Sequence, residues 1–220
     1  MQIADWAERW NQGRIGFHEA QPNALLVAHA DELVRDGAPR RILVPLCGKS
    51  EDLAFLAAQG HDVVGVEAVE DAVRAFFGEH ALVPEVTRDE RFVRYSASVP
   101  GSSATITLLA GDVFALTKAD VGPVDGLYDR AALVALPPAA QPRYVRHLRD
   151  LIVPGARGLL VAFDYVGERL PGPPFGVDEA GVHALFEGMT LTLVGTAPGS
   201  SARSREAGVT AIDRCFALEF

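Results

Sequence analysis

From residue 41 onward, apolar runs of strand length alternate with segments of helical period. RRILVPL (40–46) is apolar on both faces of its pleat and reads as a buried strand. Ser50 is placed to cap a helix over EDLAFLAAQ, with Gly60 as its stop. HDVVGVE (61–67) is a second buried strand. EDAVRAFFGE (70–79) carries Val73, Phe76 and Phe77 on one helical stripe. ATITLLAGD, VDGLYDR, GLLVAFDY, LTLVGTA and AIDRCFALEF follow as further strands, seven in all. A helix is expected over 139–152, stopped by Pro154 and Gly155, and another from Asp178 over DEAGVHALFEG. Residues 80–103 are mixed, with at most one short strand near Phe92–Tyr95, and 198–208 read as a polar loop. Alternation of this kind predicts a mostly parallel sheet with helices on both faces.

The first forty residues follow another pattern. Ile3, Trp6 and Trp10 recur at helical spacing, so a short amphipathic helix opens the chain, and the two tryptophans read as core-facing. NQGRIGFHEAQP (11–22) is a loop. Asn23 is placed to cap a second helix with Leu25, Leu26 and Leu33 inward, ended by Gly37 and Pro39. With no repeat, low-complexity tract or linker, residues 1–220 read as one domain, and 1–38 as a helical extension placed like a lid.

Composition narrows the class. The 220 residues are 49% hydrophobic and 22% charged, as in an ordinary globular protein. A net charge of -9 opposes a nucleic-acid partner, which calls for a basic face. Two distant cysteines, Cys47 and Cys215, make neither a disulfide framework nor a metal cluster. No apolar run reaches the length of a membrane span, and MQIADWAERW lacks the apolar core of a signal peptide. The expectation is a cytoplasmic monomer without a metal.

Open parallel sheets bind ligands beyond the carboxyl ends of their strands. That rule selects Leu46, Cys47 and Gly48 after the first strand and Glu67 at the tip of the second. Asp112 follows the third, Asp129 and Arg130 the fourth, Asp164 and Tyr165 the fifth. Glu67 lies about 20 residues past the first loop, the spacing at which a carboxylate holds ribose hydroxyls; a solvated strand-end glutamate is the plainer alternative. The loop after the first strand has one glycine, and Pro45 removes an N–H donor, so it suits pyrophosphate poorly. A nucleoside without phosphates needs less, and S-adenosyl-L-methionine is such a ligand. Asp112 either accepts from an adenine amino group or forms a turn. Arg130 either clamps an anion, such as the cofactor's carboxylate, or pairs with Asp129. Phe17, in a glycine-bearing loop with His18, is placed to exclude water from a methyl transfer. Cys47 reads as a small apolar residue beneath the loop rather than a nucleophile.

WAERWNQGRIGFHEAQPN, LVPLCGKSEDLAFLAAQGHDVVGVE, DRAALVALPP and GPPF occur in this order across nearly the whole chain. Together they resemble the thiopurine S-methyltransferases, the bacterial members most closely. The resemblance implies an α/β, Rossmann-like class I methyltransferase fold with seven strands, the last reversed. It implies cofactor contacts at Trp10, Leu46, Glu67, Asp112, Val113 and Arg130, with Gly48 shaping the loop. Phe17 falls where the family's loop meets cofactor and substrate. Arg130 and Arg203 are the arginines expected near the acceptor, Arg203 by counting back from Gly208.

The reaction so implied is an in-line attack of a thiol or thiolate sulfur on the sulfonium methyl. It demands positioning and dehydration, and no general base is assigned. The acceptor is expected to be an aromatic or heterocyclic thiol, with selenium and tellurium species as extensions in detoxification. A methyltransferase for halide or hydrogen sulfide, and a non-catalytic cofactor-binding regulator, are the alternatives.

Overall fold

The computed structural model describes residues 3–16, 18–34, 37–38, 40–167, 170–199 and 201–220. Helices α1 (Ile3–Asn11) and α2 (Ala24–His29) precede β1 (Arg41–Pro45). Then come α3 (Glu51–Ala58), β2 (Asp62–Glu67), α4 (Glu70–Glu79), β3 (Glu85–Arg88), β4 (Val93–Ser98) and β5 (Thr105–Ala110). The chain continues through α5 (Lys118–Val121), β6 (Val124–Arg130), α6 (Gln141–Leu151) and β7 (Ile152–Tyr165). It closes with α7 (Glu179–Leu185), β8 (Thr190–Pro198), α8 (Ala202–Ala207) and β9 (Ala211–Glu219).

All strands join one nine-stranded sheet in the order β3-β4-β5-β2-β1-β6-β7-β9-β8. β5, β2, β1, β6 and β7 run parallel, and β9 lies antiparallel between β7 and β8. The chain moves outward from β1 to β2 and β5, then returns to place β6 on β1's other side. The strand order therefore switches between β1 and β6, and the crevice opens at their carboxyl ends.

The seven expected strands are present, the last of them reversed. Residues 82–103 correct the expectation of at most one strand, because β3 and β4 form an antiparallel extension on β5. Val93, Tyr95 and Ala97 of β4 face inward while β3 is exposed throughout. One-sided edge strands need no continuous apolar run, which is why the segment reads as mixed. Central strands are the opposite case. Ile42, Val63, Leu108 and Leu159 enter one core, and Leu43, Val64, Leu109 and Leu160 the other.

The expected caps are formed. Asn23 Oδ1 accepts from Leu25 N at 3.0 Å, Ser50 Oγ from Asp52 N at 3.2 Å, and Asp178 Oδ1 from Gly181 N at 2.8 Å. Three details differ. Past His29, the second helix tightens into a 3₁₀ turn over Ala30–Leu33. Pro154 and Gly155 lie inside β7, where the β6–β7 register shifts. The expected polar loop holds α8, capped by Ser201 and ended by Gly208 at φ 66°. Its six residues bury too little to leave an apolar stripe.

Candidate active site

The site begins where β1 ends. Leu46 and Gly48 take φ of 45° and 54°, and the first is a strained conformation for a residue with a side chain. The turn is held from β2: Cys47 N donates to Val66 O at 3.1 Å, and Gly48 N to Glu67 Oε2 at 2.9 Å. Glu67 Oε1 accepts from Val69 N at 2.9 Å, so one carboxylate ties the turns after both strands. Glu67 is 6% exposed; burial raises its pKa, and the Val69 and Gly48 amides oppose that rise. The Ala68 amide acts on the carboxylate as well, so backbone donors take part of its acceptor capacity. Cys47 packs beneath the turn against Gly65, where a Cβ would meet its Sγ at 2.7 Å. Burial pushes its thiol well above the usual range, so the sulfur stays protonated and inert.

Arg130 rises from the end of β6, across the switch. Its side chain is 15% exposed and makes an ion pair with Glu19 of the segment between α1 and α2. The next residue, Ala131, has φ 65°, so strained backbone flanks the crevice on both sides. Leu46, Gly48, Lys49, Arg130, Ala131 and His18 line a cavity of about 30 Å³. Burial, then the Lys49 ammonium, lower the pKa of His18, which is therefore neutral at pH 7.

Beneath the cavity, Tyr128 OH donates to Asp52 Oδ2 at 3.0 Å, and Asp52 Oδ1 accepts from Asn23 N at 2.7 Å. This link ties β6, α3 and the start of α2. Replacing Tyr128 with phenylalanine leaves a buried carboxylate oxygen without its donor. The expected loss is about 1–2 kcal/mol in urea unfolding, and an unchanged midpoint would show that the link carries no stability.

Not every predicted residue converges. Leu46, Gly48 and Arg130 share the cavity, and Glu67 adjoins it through Gly48. Asp112 is exposed at the end of β5, and its Oδ1 accepts from Phe114 N at 2.9 Å, which is the turn-forming arrangement. Val113 is buried beside it, and its carbonyl meets His147 Nε2 at 2.9 Å. Trp10 is half-buried on α1 and outside the cavity lining. Phe17 lies outside the described residues. Arg203, on α8, donates to the carbonyls of Pro171 and Gly172, which places it over the GPPF loop and not beside Arg130.

The alternative for Arg130, a pairing with Asp129, is not formed. Asp129 is fully buried and turned to the other face, where Tyr144 OH donates to it at 2.7 Å and Leu133 N at 3.1 Å. Alternation along β6 separates the two neighbours. Burial pushes the Asp129 carboxyl up to about 6, from 3.8. Its stabilising contribution is complete below about pH 4 and is lost as pH rises through about 6. Asp129→Asn is therefore expected to gain on the wild type by about 3 kcal/mol between pH 4 and 7.5 in urea unfolding. A pH-independent difference would refute this.

Sequence reasoning passed over Glu19, Asp52 and Asp213. Glu19 stands within the FHEAQPN run that resembled a family motif, and Asp52 in the first turn after the Ser50 cap. Asp213 carried no signal beyond a polar position in a strand. It stands on β9 opposite Phe163, where Arg130 and Glu19 act on it, and burial pushes its carboxyl up to about 6.

A crevice of this kind hosts many chemistries, and comparison with known proteins decides among them. The sequence model of the thiopurine S-methyltransferase family matches residues 1–217. This chain belongs to that family. A thiopurine S-methyltransferase of Pseudomonas fluorescens is 46% identical over 84% of this chain and 82% of its own. One from Pseudomonas syringae pv. tomato is 44% identical over 94% and 93%. Among solved structures, a Burkholderia thailandensis 1,6-didemethyltoxoflavin-N1-methyltransferase with bound S-adenosylhomocysteine aligns with TM-score 0.64 at 19% identity, covering 99% of this chain and 87% of that one. Magnesium protoporphyrin IX methyltransferase of Synechocystis, with bound S-adenosylmethionine, gives 0.60 at 14%, covering 99% and 96%. The fold is that of class I methyltransferases, as the strand order requires. The family member described here is an enzyme, and its cofactor is S-adenosylmethionine. Its first loop fits that cofactor: one glycine suffices where no phosphate must be cradled, and a carboxylate, an acceptor for hydroxyls, stands at the tip of the next strand. No helix among the described residues is long and apolar enough to cross a membrane.

Proposed function

We propose that this protein transfers the methyl of S-adenosylmethionine to the sulfur of aromatic or heterocyclic thiols, thiopurines among them. The observation that carries the reading is the Glu67 carboxylate holding the Gly48 turn at the strand-order switch, with Arg130 across the crevice. In this reading the 220 residues act as one domain and one monomer, in keeping with a single sheet that takes every strand. Selenium and tellurium nucleophiles, softer homologues of sulfur, extend the acceptor class, and cytoplasmic detoxification is the role it fits.

When bound, S-adenosylmethionine supplies a methyl on a sulfonium centre. Glu67 holds the ribose hydroxyls with its remaining lone pairs, and Leu46 and Gly48 shape the backbone under the methionine end. Asp112 and Val113 border the adenine. Arg130 holds an anionic group, the cofactor's carboxylate or the acceptor's thiolate, with a planar fork of donors. Trp10, Phe17 and the segment bearing His18 and Glu19 close over the site and exclude water. Arg203 and the 171–175 loop border the acceptor.

The test is transfer from methyl-labelled S-adenosylmethionine to a panel of thiopurines, thiophenols, sulfide, iodide and selenite. Turnover is expected with the aromatic thiols. Turnover with iodide or sulfide alone would move the protein to the small-anion class, and no turnover despite cofactor binding would make it a regulator.

A further inference from the structure

The residues assigned so far bind and orient, and none takes the proton of an un-ionised thiol. Asp213 is placed for that task. Arg130 of β6 pairs with Val161 of β7, and Val161 with Cys215 of β9, so these three residues form one row across the sheet. Asp213 stands two positions beyond Cys215, opposite Phe163, toward the carboxyl end of β7. Tyr128, Val161 and Cys215 enter the same core, so alternation puts Arg130 and Asp213 on that face as well. Two strand spacings and two residue rises place their Cα atoms about 12 Å apart. That gap suits a planar heterocycle held between the two side chains.

The surroundings of Asp213 fit a proton acceptor. Among the described residues it makes no hydrogen bond or ion pair, whereas its neighbour Arg214 turns to the other face and meets Asp164 at 3.3 Å. Arg130 favours its ionised form from β6, and Glu19 disfavours it from the N-terminal segment. The residues opposite it, Phe163 on β7 and Ala197 on β8, bring no charge. Desolvation dominates and carries the carboxyl to about 6, near the working pH of a general base. Glu19 already occupies Arg130, so the two carboxylates of the cleft stand in different environments.

We propose that Asp213 is the general base for thiol acceptors, a step that rests on the S-methyltransferase reading. The S–H bond breaks, its proton passes to the Asp213 carboxylate, and its electron pair stays on sulfur. A sulfur lone pair then forms the bond to the methyl. The bond from methyl to sulfonium breaks, and its pair remains on the departing thioether. Asp213 returns the proton to solvent.

The experiment compares wild type and Asp213→Asn with two thiophenols at about pH 6, where a general base matters for one of them only. A nitro-substituted thiol is already ionised there, and a methoxy-substituted one is mostly not. Asp213→Asn is expected to lose about five- to tenfold in kcat with the methoxy thiol, the ceiling set by the thiolate already present, and less than about twofold with the nitro thiol. Equal slowing of both, or of neither, overturns the proposal alone. Failure of the wild type to methylate either thiol overturns the acceptor reading and the proposal with it. A second readout needs no turnover: thiolate absorbance of the methoxy thiol bound beside S-adenosylhomocysteine. Its titration is expected to move down in the variant, because the Asp213 carboxylate no longer opposes the thiolate's charge, and an unmoved titration overturns the proposal whatever the kinetics. Calorimetric binding of S-adenosylhomocysteine confirms the fold, and Asp213→Ser replaces the asparagine variant should that one fail to bind.

Discussion

Replacing Glu67 with alanine is expected to weaken S-adenosylmethionine binding by about 100-fold or more in calorimetry. Two hydroxyls donating to a carboxylate contribute about 1.5–3 kcal/mol each, and tenfold in affinity is about 1.4 kcal/mol. The variant also frees the turn that Glu67 holds, since Gly48 N and Val69 N both donate to it. Part of the loss is therefore loss of a preformed loop, and Glu67→Gln divides the two effects. Glutamine keeps the shape and one acceptor oxygen, but its amide meets the second backbone N–H donor to donor. An intermediate loss of about tenfold is expected from it. Stability moves the other way. Burial raises the Glu67 pKa, so the stability it lends is present below its ordinary value of 4.5 and lost as pH rises through the folded value. The alanine variant should therefore gain on the wild type as pH rises. An unchanged dissociation constant would remove Glu67 from the ribose site.

The sheet was legible because each central strand is buried on both faces and so reads as a continuous apolar run, as RRILVPL and HDVVGVE do. Capping residues were legible because their side chains satisfy local amides, and Asn23, Ser50 and Asp178 do so. Of the edge hairpin, the start of β4 was legible near Phe92–Tyr95, and β3 escaped because it buries nothing. Helix α8 escaped for a related reason, being held by its Ser201 cap and by Gly208 rather than by a stripe.

The site was legible where position along a strand decides it. Leu46, Gly48, Glu67 and Arg130 all sit at carboxyl ends beside the switch, and the fold brings them together. Pairing across elements was not legible. Arg130 and Asp129 are adjacent in sequence, yet the pleat sends them to opposite faces, and a partner of Arg130 lies 111 residues away in Glu19. Asp213 illustrates the same limit. Its chemistry arises from the order of β6, β7 and β9, which no local pattern encodes.

Arg130→Lys carries the other large expected effect. The substitution keeps the charge but replaces a planar fork with a single ammonium on a shorter reach, which cannot hold two acceptor oxygens side by side. Methyl transfer is expected to fall by about 30- to 100-fold in kcat/KM, the equivalent of about 2–3 kcal/mol. The fold should survive. Arg130 is at the crevice rim, it pairs with the half-buried Glu19, and lysine can still face that carboxylate. The melting temperature is therefore expected to stay within a few degrees. Calorimetry locates the anion that Arg130 holds. A weaker cofactor constant, in step with kcat/KM, assigns the guanidinium to the methionine carboxylate. An unchanged constant with the full loss in kcat/KM assigns it to the acceptor. In either case the ion pair with Glu19 must yield to the incoming anion, so Glu19→Gln should bind that same ligand more tightly than the wild type. Full activity in Arg130→Lys would show that charge alone suffices there and would end the clamp assignment.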